Sequence, residues 1–214
     1  MSSGVEIEKI TELSVTLKSN SIMEWSIPMK IFTYWFIAIA TGLIFFRKET
    51  FSYNTDFDLR RKLLIVASAA IVAINAFVYT NSTYDGGRTL DWASVLLFTF
   101  GNGIAETFMF YAFFTMGEKL AAFATKNPWL LFASGMLFFM VYSGVIHGMF
   151  WLDILPEHVN QASPFKPLFM PTQLLIAGSW ALSFFWYRDL PTVFLLHSLV
   201  DLTMILNVKF SLFG

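Results

Sequence analysis

Four ionisable side chains interrupt stretches of sequence that are otherwise apolar: Glu106, His147, His197 and Asp201. A charge at the centre of a bilayer costs about 2.5–3.5 kcal/mol even on scales drawn from insertion experiments, so such a residue points to function. Asn102 stands four residues before Glu106, and His197 stands four before Asp201. Positions i and i+4 are neighbours on a helix surface, so each pair forms a polar stripe. A carboxylate one turn from an imidazole can accept its N–H and fix its tautomer, as happens behind metal-bound and catalytic histidines.

Three separate segments thus each carry an acid or an imidazole into apolar surroundings, and one shared interior site is the economical explanation. Such a cluster can hold a proton, a metal ion or a polarised water. Taken singly, each residue could equally serve a structural hydrogen bond. The third histidine, His158, follows Pro156 and Glu157 in a connecting segment and is expected to be solvated. Asp153, Arg88 and Arg188 fall at segment ends, where charged side chains snorkel to water, and Arg188 is expected to cap its segment. Phe108, Phe110, Phe113, Phe114, Phe138 and Phe139 read as packing or lipid-facing surface.

The elements that must position these residues are membrane spans. The chain has 214 residues, 56% hydrophobic and 14% charged, against about 25% charged in soluble domains. Apolar runs recur at the length that crosses a hydrocarbon core of about 30 Å. They lack the polar face of an amphipathic helix. In lipid every backbone polar group needs an internal partner, so the spans are helices. The expected fold is all-α, a transmembrane bundle of six spans at 29–46, 63–80, 92–116, 129–151, 168–187 and 192–208. The third run is long enough to overshoot or tilt. Residues 1–28 form a distinct polar segment with no cleavable-signal pattern, leaving the first span to direct targeting. Within it Val5, Ile7, Ile10, Leu13 and Leu17 suit a short helix lying on the membrane surface or a frayed tail. Residues 29–214 form the transmembrane domain.

Charge and composition exclude several classes. A net charge of −1 gives no footprint for nucleic acid. Without cysteine there is no disulfide, thiolate metal site or cysteine nucleophile. The loops after spans one, three and five carry 8 Lys and Arg, and the other side carries 6. Guided by Arg60-Arg61-Lys62, the positive-inside rule places the first loop in the cytoplasm and both termini outside.

The order Glu106, then His147, then His197-x-x-x-Asp201 resembles the CPBP family, the Abi or CAAX-protease-like intramembrane proteins. Its motifs are Glu-Glu-x-x-x-Arg, Phe-x-x-x-His and His-x-x-x-Asn/Asp. Here they fall on Glu106-Thr107-Phe108-Met109-Phe110-Tyr111, Ser143-Gly144-Val145-Ile146-His147 and His197-Ser198-Leu199-Val200-Asp201. The approach Tyr187-Arg188-Asp189-Leu190-Pro191 is also similar, and the resemblance covers roughly residues 90–205. Three positions depart from it: Thr107 replaces the second acid, Tyr111 the arginine and Ser143 the phenylalanine.

The resemblance implies an endopeptidase that hydrolyses a lipidated or membrane-embedded substrate in a cavity open to the bilayer. It assigns Glu106 as general base assisted by His147, with His197 and Asp201 polarising the scissile carbonyl, and Asn102, Thr107 and Tyr111 in support. Glu106, His147 and His197 could instead hold a divalent metal such as zinc, with an open position for water. The missing acid and arginine favour an alternative, a non-catalytic relative that binds or helps to assemble another membrane protein. A pigment or haem protein with His147 and His197 as axial ligands is a third reading. An ion-coupled transporter would call for repeats or broken helices, and neither is visible.

Overall fold

Helix starts in this chain are written by short polar residues placed just ahead of apolar runs. A computed structural model describes residues 26–51, 57–153 and 158–213. Ser26 caps the first helix, α1 (Ile27–Phe45), by accepting from the Met29 amide, with Pro28 in the first turn where its missing N–H costs nothing. A short helix α2 (Arg47–Phe51) follows. Asp58 caps α3 (Leu59–Ser82), its Oδ1 2.7 Å from the Arg61 amide. Asp91 caps α4 (Trp92–Ala122). Next come α5 (Pro128–Asp153), a 3₁₀ turn over Lys166–Leu168 and α6 (Phe169–Tyr187). Asp189, followed by Pro191, caps α7 (Leu190–Val208). The expected surface helix lies mostly in residues 1–25, outside the described part.

All helices but α2 are long and apolar enough to cross a membrane, which makes six candidate spans among the described residues. α3 begins four residues earlier than the apolar pattern alone implies, because the Asp58 cap draws the basic triplet into its first turn. At 31 residues α4 is about 46 Å long, well over the hydrocarbon thickness. α4 is the central element: 61% of its apolar stretch is buried, against 17% in α1. It packs against α5, α7 and α1, while α3 packs against α6 and α7. Phe36 and Ile44 of α1 are 74% and 71% exposed, as lipid-facing residues should be.

Two buried clusters fill the bundle. One gathers Phe110, Phe114, Phe139, Phe184 and Val193; the other gathers Trp35, Phe98, Ala105, Ile205 and Leu212. Glycines set how closely α4 is approached. A Cβ on Gly117 would lie 2.5 Å from the Ser134 carbonyl oxygen of α5, and one on Gly103 would lie 2.5 Å from Ser198 Oγ of α7.

The ends of the helices correct one expectation. His158 is not solvated: it is 3% exposed, and its Nδ1 lies 3.1 Å from the Tyr84 carbonyl. A single antiparallel bridge, Thr83 to Val159, fastens this segment to the end of α3, and so the imidazole is folded inward. Arg61, from the basic triplet that guided the topology, is folded inward as well. It is 1% exposed and pairs with Asp189, with Nη2 at 2.7 Å and Nε at 3.1 Å from the same oxygen. Arg188 does end α6, in the left-handed conformation (φ 52°), and its guanidinium takes both oxygens of Glu118 on α4. This pair of residues therefore ties the start of α7 to both α3 and α4.

Candidate functional site

Near the middle of the bundle the polar stripes of α4 and α7 face each other. The α4 stripe supplies Asn102, Glu106 and Thr107, and the α7 stripe supplies His197 and Asp201; all five are buried. Glu106 Oε2 lies 3.2 Å from His197 Nε2, within hydrogen-bond range. Thr107 Oγ1 lies 3.5 Å from the other ring nitrogen, Nδ1. Asn102 Nδ2 donates to Asp201 Oδ2 at 3.2 Å, and Asn102 Oδ1 accepts from the indole N–H of Trp35 on α1 at 3.1 Å.

The partner of His197 differs from the one its spacing suggests. Asp201 Oδ1 is 3.8 Å from His197 Nε2, too far for a hydrogen bond. The cross-helix residue Glu106 takes that N–H instead, and Asp201 turns to Asn102. The result is a chain, Trp35–Asn102–Asp201, joined through Asn102 to a second, Glu106–His197–Thr107.

His147 on α5 stands apart from both chains. Its Nδ1 lies 2.8 Å from the Ser143 carbonyl and 3.2 Å from Ser143 Oγ, one turn back on its own helix. With Nδ1 donating to that carbonyl, a neutral ring leaves Nε2 as an acceptor. Its link to the cluster is the Phe110 ring, nearly parallel to His147 (6.3 Å between centroids, 12°) and to His197 (5.3 Å, 16°). Phe110, read from sequence as packing or lipid-facing surface, is thus an inner wall of the site. An axial pair of His147 and His197 would need the space that Phe110 fills.

Ser143 supplies the His147 contacts. Tyr111 is buried, and its hydroxyl reaches Arg188 at the end of α6. Tyr34 of α1 and Tyr142 of α5 share a 2.6 Å hydroxyl–hydroxyl bond, and Tyr142 stacks on Phe113. Trp180 packs beside His197 at 4.9 Å, and its indole N–H has no acceptor among the described residues. Neither Trp35 nor Trp180 is distinguishable in sequence from any other aromatic in an apolar run.

Among the described residues no group of three or more His, Asp or Glu side chains is placed to hold a metal ion. Glu106 and His197 turn their facing atoms on each other, and His147 lies against Ser143.

An apolar cavity of about 330 Å³ lies between α1 and α7, floored by α4. Ile39 and Leu43 line one side, Leu190, Pro191 and Phe194 the other, with Thr50 of α2 at one edge. Thr107 is on its floor, lining the cavity with apolar atoms, while its hydroxyl lies 3.5 Å from His197 Nδ1. The cavity thus reaches the polar cluster through a single side chain.

Fold and site together define a multi-pass helical bundle with an interior carboxylate–imidazole cluster. Among known proteins, the chain matches no family model, no curated protein and no solved structure.

Proposed function

We propose that this protein is an intramembrane hydrolase of CAAX-protease-like character, cleaving a lipidated or membrane-embedded substrate with a water activated by Glu106 and His147. The observation that carries the reading is the 3.2 Å contact between Glu106 and His197, buried between two spans and joined through Thr107 to an apolar cavity. A substrate held in the bilayer would reach the cluster from the side, its hydrocarbon against Ile39, Leu43 and Phe194 and its scissile carbonyl toward Thr107. The orientation with the first loop in the cytoplasm belongs to the same reading.

The chemistry asks little more than these side chains. His147, with Nδ1 tied to Ser143, presents Nε2 to a water, and Glu106 takes the proton as the water oxygen bonds to the carbonyl carbon. As Glu106 takes that proton it releases the His197 Nε2–H, which then donates to the charge developing on the carbonyl oxygen, and Asp201 assists only when it carries a proton to donate. When the carbon–nitrogen bond breaks, the proton passes from Glu106 to the leaving amine. Atoms balance as water plus amide giving acid plus amine.

The departures in the first motif support a second reading, a non-catalytic relative that binds or helps to assemble another membrane protein. Glu106, His197, Asn102 and Asp201 partner one another within the cluster. The test is a purified preparation in lipid nanodiscs, given prenylated peptides and transmembrane peptides. The hydrolase reading expects cleavage that is lost in Glu106→Ala and His147→Ala while both variants insert and unfold normally. Equal turnover in those variants would overturn the roles given to Glu106 and His147, whereas a stoichiometric partner on purification with no turnover favours the binding reading.

A further inference from the structure

We infer that Trp35 of α1 is a positioning residue for the cluster: its indole N–H fixes the Asn102 amide so that the amide nitrogen faces Asp201. An indole nitrogen can only donate, a carboxylate oxygen normally accepts, and an amide has one end of each kind. Trp35 Nε1 lies 3.1 Å from Asn102 Oδ1, and Asn102 Nδ2 lies 3.2 Å from Asp201 Oδ2. Turning the amide over would set donor against donor on one side and acceptor against acceptor on the other. Both bonds therefore demand the same orientation, and each reinforces the other in buried surroundings.

The consequence falls on Asp201. Because Oδ2 is committed as an acceptor from Asn102, a proton on this carboxyl sits on Oδ1. That is the oxygen facing His197, 3.8 Å away. Trp35 thus decides, through one amide, which face of the acid the imidazole meets. It comes from a helix carrying none of the ionisable residues of the site.

The local structure is built for the contact. Trp35 is buried although α1 is mostly lipid-facing. Gly101, next to Asn102, leaves room for the indole: a Cβ there would lie 2.7 Å from the ring at Cζ3. Phe32 and Phe98 pack edge-on against the ring at 5.4 and 6.0 Å.

The functional part of this inference rests on the hydrolase reading, so the principal experiment reads the site without a substrate. With only 3 histidines in the chain, ¹⁵N-histidine labelling gives a simple ring-nitrogen spectrum, with His197 assigned by its loss in His197→Gln. Trp35→Phe, or 3-benzothienylalanine at position 35, which replaces the N–H with sulfur, should move the His197 resonances. Asn102→Leu should move them as well, and the double variant should match Asn102→Leu alone. Gly101→Ala, which displaces the indole, should reproduce Trp35→Phe. Phe32→Leu, which disturbs the packing of the ring but not its hydrogen bond, should leave the spectrum unchanged. The inference is overturned if the position-35 changes leave His197 where it was, or if Phe32→Leu moves it equally.

The same Trp35 variants should cut turnover about three- to tenfold, the scale of one hydrogen bond. A shifted His197 spectrum in a protein that cleaves nothing would uphold the positioning role and defeat the hydrolase reading.

Discussion

Asp189→Asn removes a charge from the most enclosed ion pair in the bundle while keeping a good helix cap. The Arg61 and Asp189 side chains are each 1% exposed and meet at 2.7 Å. Arg61 also lies over the Phe57 ring at 4.5 Å and the Tyr187 ring at 5.5 Å. Breaking a buried pair by changing one partner costs about 3–5 kcal/mol, because the other charge stays buried without compensation. Asparagine can still accept from the Thr192 amide, 3.2 Å from Asp189 Oδ1, so capping loss contributes little. For a chain of this length about 1 kcal/mol corresponds to roughly 2–4 °C, so the midpoint should fall on the order of 10 °C. Thermal unfolding in detergent micelles, followed by tryptophan fluorescence, measures it. Arg61→Met should cost a similar amount. The double variant, which leaves no unpaired charge, should recover most of the loss. Additive costs across the cycle would refute the reasoning, since independent losses mean that the two charges do not compensate each other.

Other expectations follow from the same geometry. Gly117→Ala should destabilise the protein more than Gly103→Ala in the same unfolding assay. The added methyl meets the Ser134 backbone in the first case and the rotatable Ser198 hydroxyl in the second, and overpacking costs about 1–3 kcal/mol when nothing can yield. Hydrogen bonding by Ser94 holds the Asp91 carboxyl below its ordinary value of 3.8. A depressed folded-state value gives stability that is present above pH 3.8 and lost as pH falls through the folded value. Asp91→Asn should therefore flatten the stability profile below about pH 4; an unchanged acid limb would contradict this. Because the chain has no cysteine, single-cysteine variants can report orientation. Lys126→Cys should react with an impermeant thiol reagent from the cytoplasmic face and Arg88→Cys from the opposite face, and the reverse pattern would overturn the assigned topology. Metal analysis of purified protein should find no stoichiometric ion bound by the cluster, whereas one equivalent lost in His197→Gln would restore a metal centre.

The bundle was legible because lipid imposes a length and a polarity on every span, and the apolar runs show both. The site was legible for a related reason: Glu106, His197 and Asp201 stand out against apolar surroundings. Their actual partners were not. Which carboxylate meets His197 depends on how α4 and α7 cross, and that crossing is set by Gly103 against Ser198. Trp35 gave no signal because an indole in an apolar span has the same composition whether it faces lipid or donates to an amide. Arg61 read as one of a basic triplet because its partner, Asp189, lies 128 residues away in sequence. His158 read as a loop residue because the bridge that folds it inward pairs segments distant in sequence. Local pattern reports solvent, and tertiary pairing reports partners.

The most direct test of the central claim is incorporation of ¹⁸O from labelled water into the new carboxyl of a cleaved membrane peptide, comparing the unmodified protein with Glu106→Gln. One labelled oxygen per cleavage is expected, with the rate falling at least about a hundredfold in the variant, the scale of a lost general base. Equal incorporation rates in Glu106→Gln, which keeps an acceptor for His197 but cannot take a proton, would contradict the central claim.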